Sequence, residues 1–179
     1  MLRSKTCAVT LAFLLTLLMG LSSAWGQLRV IQHRRGTARP VYLKEVERRI
    51  YQLTNETRRK HHLPPLDKDD ALVTTARAHS DDMLGRNFFH HVNPDGKAPQ
   101  DRIAPAYSRT LARTGENIWG GHGYDYSDSK LMARVIVDSW ITSPGHRANL
   151  LNPNYTNLGV GVSVLGKEVR ATQNFVQRR

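Results

Sequence analysis

The sequence predicts a single α+β domain, with helices first and an antiparallel hairpin last. Three observations point there. Apolar residues recur at helical spacing in three separate stretches before residue 143. From Leu158 the pattern changes to strict alternation, Leu158, Val160, Val162 and Val164 against small residues. Gly166-Lys167 then reads as a hairpin turn into a partner strand, "EVRATQNF". At 179 residues, with no internal repeat or low-complexity tract, the chain has the length for one real core.

The elements follow in order. Residues 1–26 carry Arg3 and Lys5, an apolar run from about Ala8 to Leu21, and a small-residue site at Ala24-Trp25-Gly26. They read as a secretory signal cleaved before Gln27, because the apolar run is shorter than the roughly 18–20 residues a spanning helix needs. After cleavage no transmembrane segment is expected. Residues 27–41 are basic, contain Gly36 and Pro40, and read as a flexible lead-in. Tyr42, Val46, Ile50 and Leu53 predict a helix to about His62, ended by "LPPL" at 63–66. Asp67 or Asp69 is placed to cap a second helix whose stripe is Leu72, Ala76, His79 and Met83, ending near Gly85. Residues 86–127 read as a long irregular region, and such loops in compact domains are usually functional or disordered. A third helix starts near Ser127 or Ser129 and buries Leu131, Met132, Val135, Ile136 and Trp140. "SPG" at 143–145 stops it, and a helical turn over 146–151 leads to the hairpin.

The only cysteine, Cys7, lies inside the signal, so the exported domain has no disulfide and no thiolate ligand. That usage suits a bacterial exported protein, secreted or held in the periplasm or cell envelope. The formal charge is +11, about +9 once residues 1–26 are set aside. Such a charge favours an anionic envelope polymer or lipid as partner. No nucleic-acid module is recognisable, so Arg34-Arg35 and Arg178-Arg179 read first as solvated basic surface.

Three stretches mix histidine, acid and glycine: "FFHHVNPDG" (88–96), "TGENIWGG" (114–121) and "SWITSPGHRANLLNPNYTNLGVGV" (139–162). Adjacent side chains cannot face the same way, so at most one of His90 and His91 enters a given pocket. Around these stretches lie Asn55-x-x-Arg58, Phe89-x-His91-x-x-Pro94-Asp95-Gly96, Asp101-Arg102 and Gly115-Glu116-Asn117-Ile118. Trp140-x-x-Ser143-Pro144-Gly145-His146-Arg147, Gly159-Val160-Gly161-Val162 and Thr172-Gln173-Asn174-Phe175 complete the series. In this order the chain resembles the CAP superfamily, also called SCP or cysteine-rich secretory, antigen 5 and pathogenesis-related domains, in its bacterial exported form. The resemblance assigns residues 42–177 to one such domain. It implies a three-layer α-β-α sandwich with a central antiparallel sheet and an open cleft holding two histidines and two acids. Position by position His91, Glu116 and His146 take three of those places, with His90 turned to solvent or the cleft rim. The second acid falls near Ser143, a departure from the family pattern.

Two neutral imidazoles and a carboxylate have the composition of an open three-ligand zinc site, so His91, His146 and Glu116 are the expected ligands of Zn2+ or another divalent metal. Alternatively the histidines bind metal and Glu116 holds a bound water. The favoured reading is a non-catalytic binding module for a metal, a lipid-like ligand or an envelope ligand. The alternative is a metal-assisted or serine-type hydrolase of peptide, ester or envelope polymer, with Ser143 beside His146 as nucleophile and base. No G-x-S-x-G elbow supports it, and no catalytic residue is assigned. His79 reads as a packed core histidine, and Trp119, Trp140 and Ile141 as core.

Overall fold

The computed structural model describes residues 39–107 and 111–178. The signal segment, Cys7, Arg34-Arg35 and the lead-in up to residue 38 lie outside the described residues. In chain order the elements are β1 (Val41–Tyr42), α1 (Lys44–Lys60), β2 (Asp67–Lys68), α2 (Asp70–Gly85), α3 (Pro99–Ile103), a 3₁₀ turn (Ala104–Ala106), β3 (Arg113–His122), α4 (Ser129–Thr142), α5 (Pro144–Leu150), β4 (Asn157–Leu165) and β5 (Glu168–Gln177). Among the described residues, no helix is long and apolar enough to cross a membrane.

Most of the elements form where their chemistry asks. Val46 and Ile50 of α1 are buried and Leu53 packs against them. Tyr42 instead sits exposed in β1, opposite Ser163, and Val41 beside it already belongs to the sheet. Asp69 rather than Asp67 caps α2, its side chain accepting from the Ala71 and Leu72 amides. The cap of α4 is Asp128, not a serine. Its stripe is turned slightly from the expected one: Met132, Ala133, Ile136, Val137 and Trp140 are buried, while Leu131 is 57% exposed.

The largest departure is β3. The glycine-rich stretch expected to be loop is a ten-residue strand, pairing antiparallel with β5 from Arg113↔Gln177 to His122↔Glu168. The sheet order is β1-β4-β5-β3, with β2 adding a short parallel pair to β4. One face of β4, Leu158, Val160, Val162 and Val164, joins the main core with residues of α1, α4 and α5. The other face carries Gly159 and Gly161, and α2 lies directly on it. Helices therefore cover both faces, which gives the expected three layers.

β3 is an edge strand, a position prone to unwanted pairing. Here the edge is closed by side chains. Its outward carbonyls at Thr114, Glu116 and Ile118 accept hydrogen bonds from Tyr155 Oη (3.1 Å), Asn149 Nδ2 (3.1 Å) and Trp140 Nε1 (3.0 Å). This seam locks α4, α5 and the loop after them onto the strand that carries Glu116.

Candidate functional site

Neighbouring residues of a strand face opposite ways, so Glu116 and Asn117 divide the two sides of β3. Asn117 turns toward α5. Its Nδ2 donates to the His146 carbonyl (3.1 Å) and to Gln173 Oε1 (3.1 Å), and its Oδ1 accepts from Asn149 (2.9 Å). Glu116 turns toward α2, α3 and the 88–96 turn, and its side chain is only 1% exposed. A carboxylate that deep needs compensation. It receives the Arg102 guanidinium on Oε2 at 2.6 Å and the His91 ring on Oε1 at 2.9 Å. The same guanidinium donates to the carbonyls of His91 (2.7 Å) and Lys97 (2.7 Å), so Arg102 ties the turn to the acid.

The turn is held from within. Asn93 Oδ1 accepts from the amides of Asp95 (3.1 Å) and Lys97 (2.9 Å), and Gly96 takes a positive φ of 75°. His90 is exposed and bonds back to Val92, whose amide donates to its Nδ1 at 3.0 Å. His91 is the one turned inward. A carboxylate held by a guanidinium can only accept, so the His91 ring donates from Nδ1, and in the neutral tautomer this leaves the lone pair on Nε2. The His91 side chain is 42% exposed. His146 stands in the first turn of α5, partly buried. Burial first, and the nearby His91 charge second, hold its imidazole below the ordinary histidine value.

Two residues beyond the expected set belong to this site. Arg102 was visible only as part of the Asp101-Arg102 motif, with nothing local to mark it as the partner of Glu116. His79 is fully packed on α2, as its stripe position predicts, but it also underlies the acid. Its Nε2 lies 3.2 Å from the His90 carbonyl and 3.8 Å from Glu116 Oε1, while its buried Nδ1 has no partner among the described residues. Burial pushes its imidazole down, with Arg102 adding to the depression and Glu116 opposing it.

That depression has a consequence for stability. Below about pH 6.5 the unfolded chain takes up a proton at residue 79 that the folded protein resists, so folding weakens as pH falls. His146, also depressed, adds in the same direction. The carboxylates of Asp70, Asp82 and Asp95 are held low by Lys68, Arg86 and Arg86 respectively, and release their contribution only at more acid pH. Thermal midpoints followed from pH 7.5 downward should therefore begin to fall near pH 6.5, with His79→Gln flattening this first phase. A profile flat to pH 5 contradicts the assignment.

Of the three expected ligands, His91 and Glu116 meet directly. Both Glu116 oxygens are engaged, one by a guanidinium that a cation would have to face, so Glu116 is placed to orient His91 rather than to ligate. Among the described residues, no group of three or more His, Cys, Asp or Glu side chains could hold a metal ion. Glu116 meets Nδ1 of His91, the contact by which a carboxylate orients a histidine ring. Ser143 ends α4 and starts α5 without a side-chain capping bond, and its carbonyl accepts from the Arg147 amide at 2.8 Å. Among the described residues, no hydrogen bond joins Ser143 to His146.

Comparison with known proteins places this architecture. The model of the cysteine-rich secretory protein family, CAP, matches residues 51–177. The chain is 36% identical over 125 residues to the uncharacterised protein YkwD of Bacillus subtilis (strain 168), covering 70% of this chain and 45% of that protein. It is 38% identical over 132 residues to the uncharacterised membrane protein YlbC of the same strain, covering 74% of this chain and 34% of that one. The chain thus spans less than half the length of these relatives. A crystal structure of an extracellular protein containing an SCP domain, from Bacillus anthracis str. Ames, matches with a TM-score of 0.62 and 35% identity, covering 75% of this chain and 41% of that chain.

Proposed function

This chain belongs to the cysteine-rich secretory protein (CAP) family, and from that premise we propose that it is an exported, non-catalytic binding module whose His91–His146 cleft takes a divalent metal. Export is supported by the signal pattern of residues 1–26 and by the extracellular location of the Bacillus anthracis relative. Zn2+ is the metal whose chemistry best suits two neutral imidazoles with open positions. The observation that carries the reading is the chain Arg102–Glu116–His91. A carboxylate engaged on both oxygens by a guanidinium and an imidazole is well placed to aim a ligand. The open positions would be filled by water or by a polar group of an envelope or lipid-like partner, drawn in by the basic surface.

Calorimetric titration of the full chain with ZnCl2 at neutral pH tests this. Replacing both His91 and His146 with alanine should abolish binding. Glu116→Gln should weaken it by about 10–100-fold, as loss of an orienting partner does. Affinity should fall on acidification, because an imidazolium cannot ligate. The His91 and His146 ring resonances should shift with zinc in NMR spectra. Binding that survives the double alanine variant, or no binding to wild type, removes the metal from the proposal.

A further inference from the structure

The edge of β4 that faces away from β5 is covered at two places and open between them. At one end Leu158 accepts from the Asp69 amide at 3.0 Å, beside β2. At the other, the Val162 amide donates to Glu47 Oε1 (3.0 Å) and its carbonyl accepts from the Leu43 amide (2.9 Å), beside β1. Outward-pointing residues of a strand recur every second position. Val160, midway, therefore turns its N–H and C=O to the same edge, where neither has a partner among the described residues. Buried main-chain groups left this way are rare and costly. They face a cavity of about 320 Å3, floored by Leu158 and Val160 and walled by Tyr51 of α1 and Val73 of α2. That volume sits at the lower end of small-ligand pockets, about 300–1,000 Å3.

Four cations line the cavity, Lys44, Arg48, Lys68 and Arg77, against two carboxylates. Both carboxylates are already engaged: Glu47 holds Arg77 Nε (2.9 Å) and the Val162 amide, and Asp70 holds Lys68 (2.6 Å). Arg48 is held by Glu45, which lies outside the cavity, in an exposed bidentate pair (Nε–Oε2 2.7 Å, Nη2–Oε1 2.5 Å), so a ligand carboxylate there competes with Glu45 while Lys44 stands at the same side. The cavity is thus a one-residue gap in a sheet edge, apolar at its floor and cationic at its mouth, far in character from the histidine cleft. We propose that it binds a short extended peptide bearing a carboxylate, one residue of which pairs with Val160 as a strand while the carboxylate meets the Lys44 and Arg48 side of the mouth. The segment of this chain just before β1 is a poor occupant, since residues 27–40 carry Arg29, Arg34, Arg35 and Arg39 and no acid.

The test is ¹⁵N-resolved NMR titration of the full chain with the tripeptide acetyl-Ala-Val-Glu, free at its C-terminus. The Val160 amide should be among the most shifted. The same peptide methylated on every amide nitrogen, and an uncharged acetyl-Ala-Val-Gln-amide, should each bind about tenfold more weakly, the loss expected for one hydrogen bond or one charge contact. Val73→Trp, which fills the gap, should abolish binding, and the surface pair Lys44→Glu with Arg48→Glu should weaken it even if Val73→Trp does not fold. His91→Ala should leave it unchanged, which separates this gap from the metal cleft. No shift at millimolar peptide, equal binding of the methylated or uncharged peptide, or binding indifferent to the Lys44/Arg48 reversal would each overturn the proposal.

Discussion

Replacing Arg58 with alanine should cost this protein about 3 kcal/mol, the largest loss expected from any single polar side chain outside the cleft. Arg58 has no exposed surface. Its Nε donates to the Pro64 carbonyl at 2.9 Å, and its Nη1 donates to the carbonyls of Leu150 and Asn152, both at 2.9 Å. Among the described residues, no carboxylate pairs with it. The cation is held by main-chain oxygens, and burial lowers its affinity for its proton. One side chain thereby joins the end of α1, the "LPPL" turn and the end of α5. Asn55, one helical turn earlier, clamps the same turn through both Leu66 main-chain groups, at 3.0 and 2.8 Å. Truncation strands three carbonyls, that of Leu150 in a buried bond and those of Pro64 and Asn152 in part-buried ones, each a charge-assisted bond worth roughly 1.5–3 kcal/mol, offset in part by relief of the desolvated charge. In a domain of this size the melting temperature should drop by about 10 °C. Arg58→Lys should recover less than half, because an ammonium cannot span three divergent oxygens. Chemical denaturation of both variants measures it. A loss below about 1 kcal/mol for alanine would mean that the carbonyls find water or new partners.

Gly161→Ala should destabilise by a similar amount, about 3 kcal/mol, through overpacking rather than loss. A Cβ there would lie 2.6 Å from the Arg77 Cα and closer still to the Ala76 and Arg77 main chain. These are backbone atoms of α2, so no side chain can rotate away. The helix must lift, straining the Ser80 bonds to the Gly161 carbonyl (3.1 Å) and to Thr172 (2.9 Å). His79 is the neighbour of Ser80 on that helix, so the support beneath Glu116 moves too. On the proposed metal-binding role, zinc affinity should therefore fall together with stability. Gly85→Ala is the matched control: nothing lies within 4 Å of its Cβ, and alanine should be neutral or stabilise by up to about 1 kcal/mol. Denaturant midpoints of the two variants give the comparison. Equal effects at both positions would deny the close approach of α2 to β4.

Much of this was legible along the chain because it depends on neighbours in sequence. The stripe of α2, its Asp69 cap and the hairpin at Gly166 (φ 62°) are local matters of period and turn chemistry. β3 was not. Gly115, Gly120 and Gly121 and the polar Glu116 and Asn117 erase the strand signature, and the pairing that makes it a strand comes from β5, distant in sequence. The α4 stripe departs from its expected phase at Leu131, which is exposed, because adjacent apolar positions leave the phase of a helix open until a partner surface fixes it.

Taken alone, the sequence determined the class of fold, the family and the identity of His91, Glu116 and His146 as residues to watch, since residue types and their order survive without coordinates. Tertiary structure decided what Glu116 does. Only folding brings Arg102 onto one of its oxygens and His91 onto the other, and a carboxylate that accepts from both is placed to fix the orientation of the His91 ring.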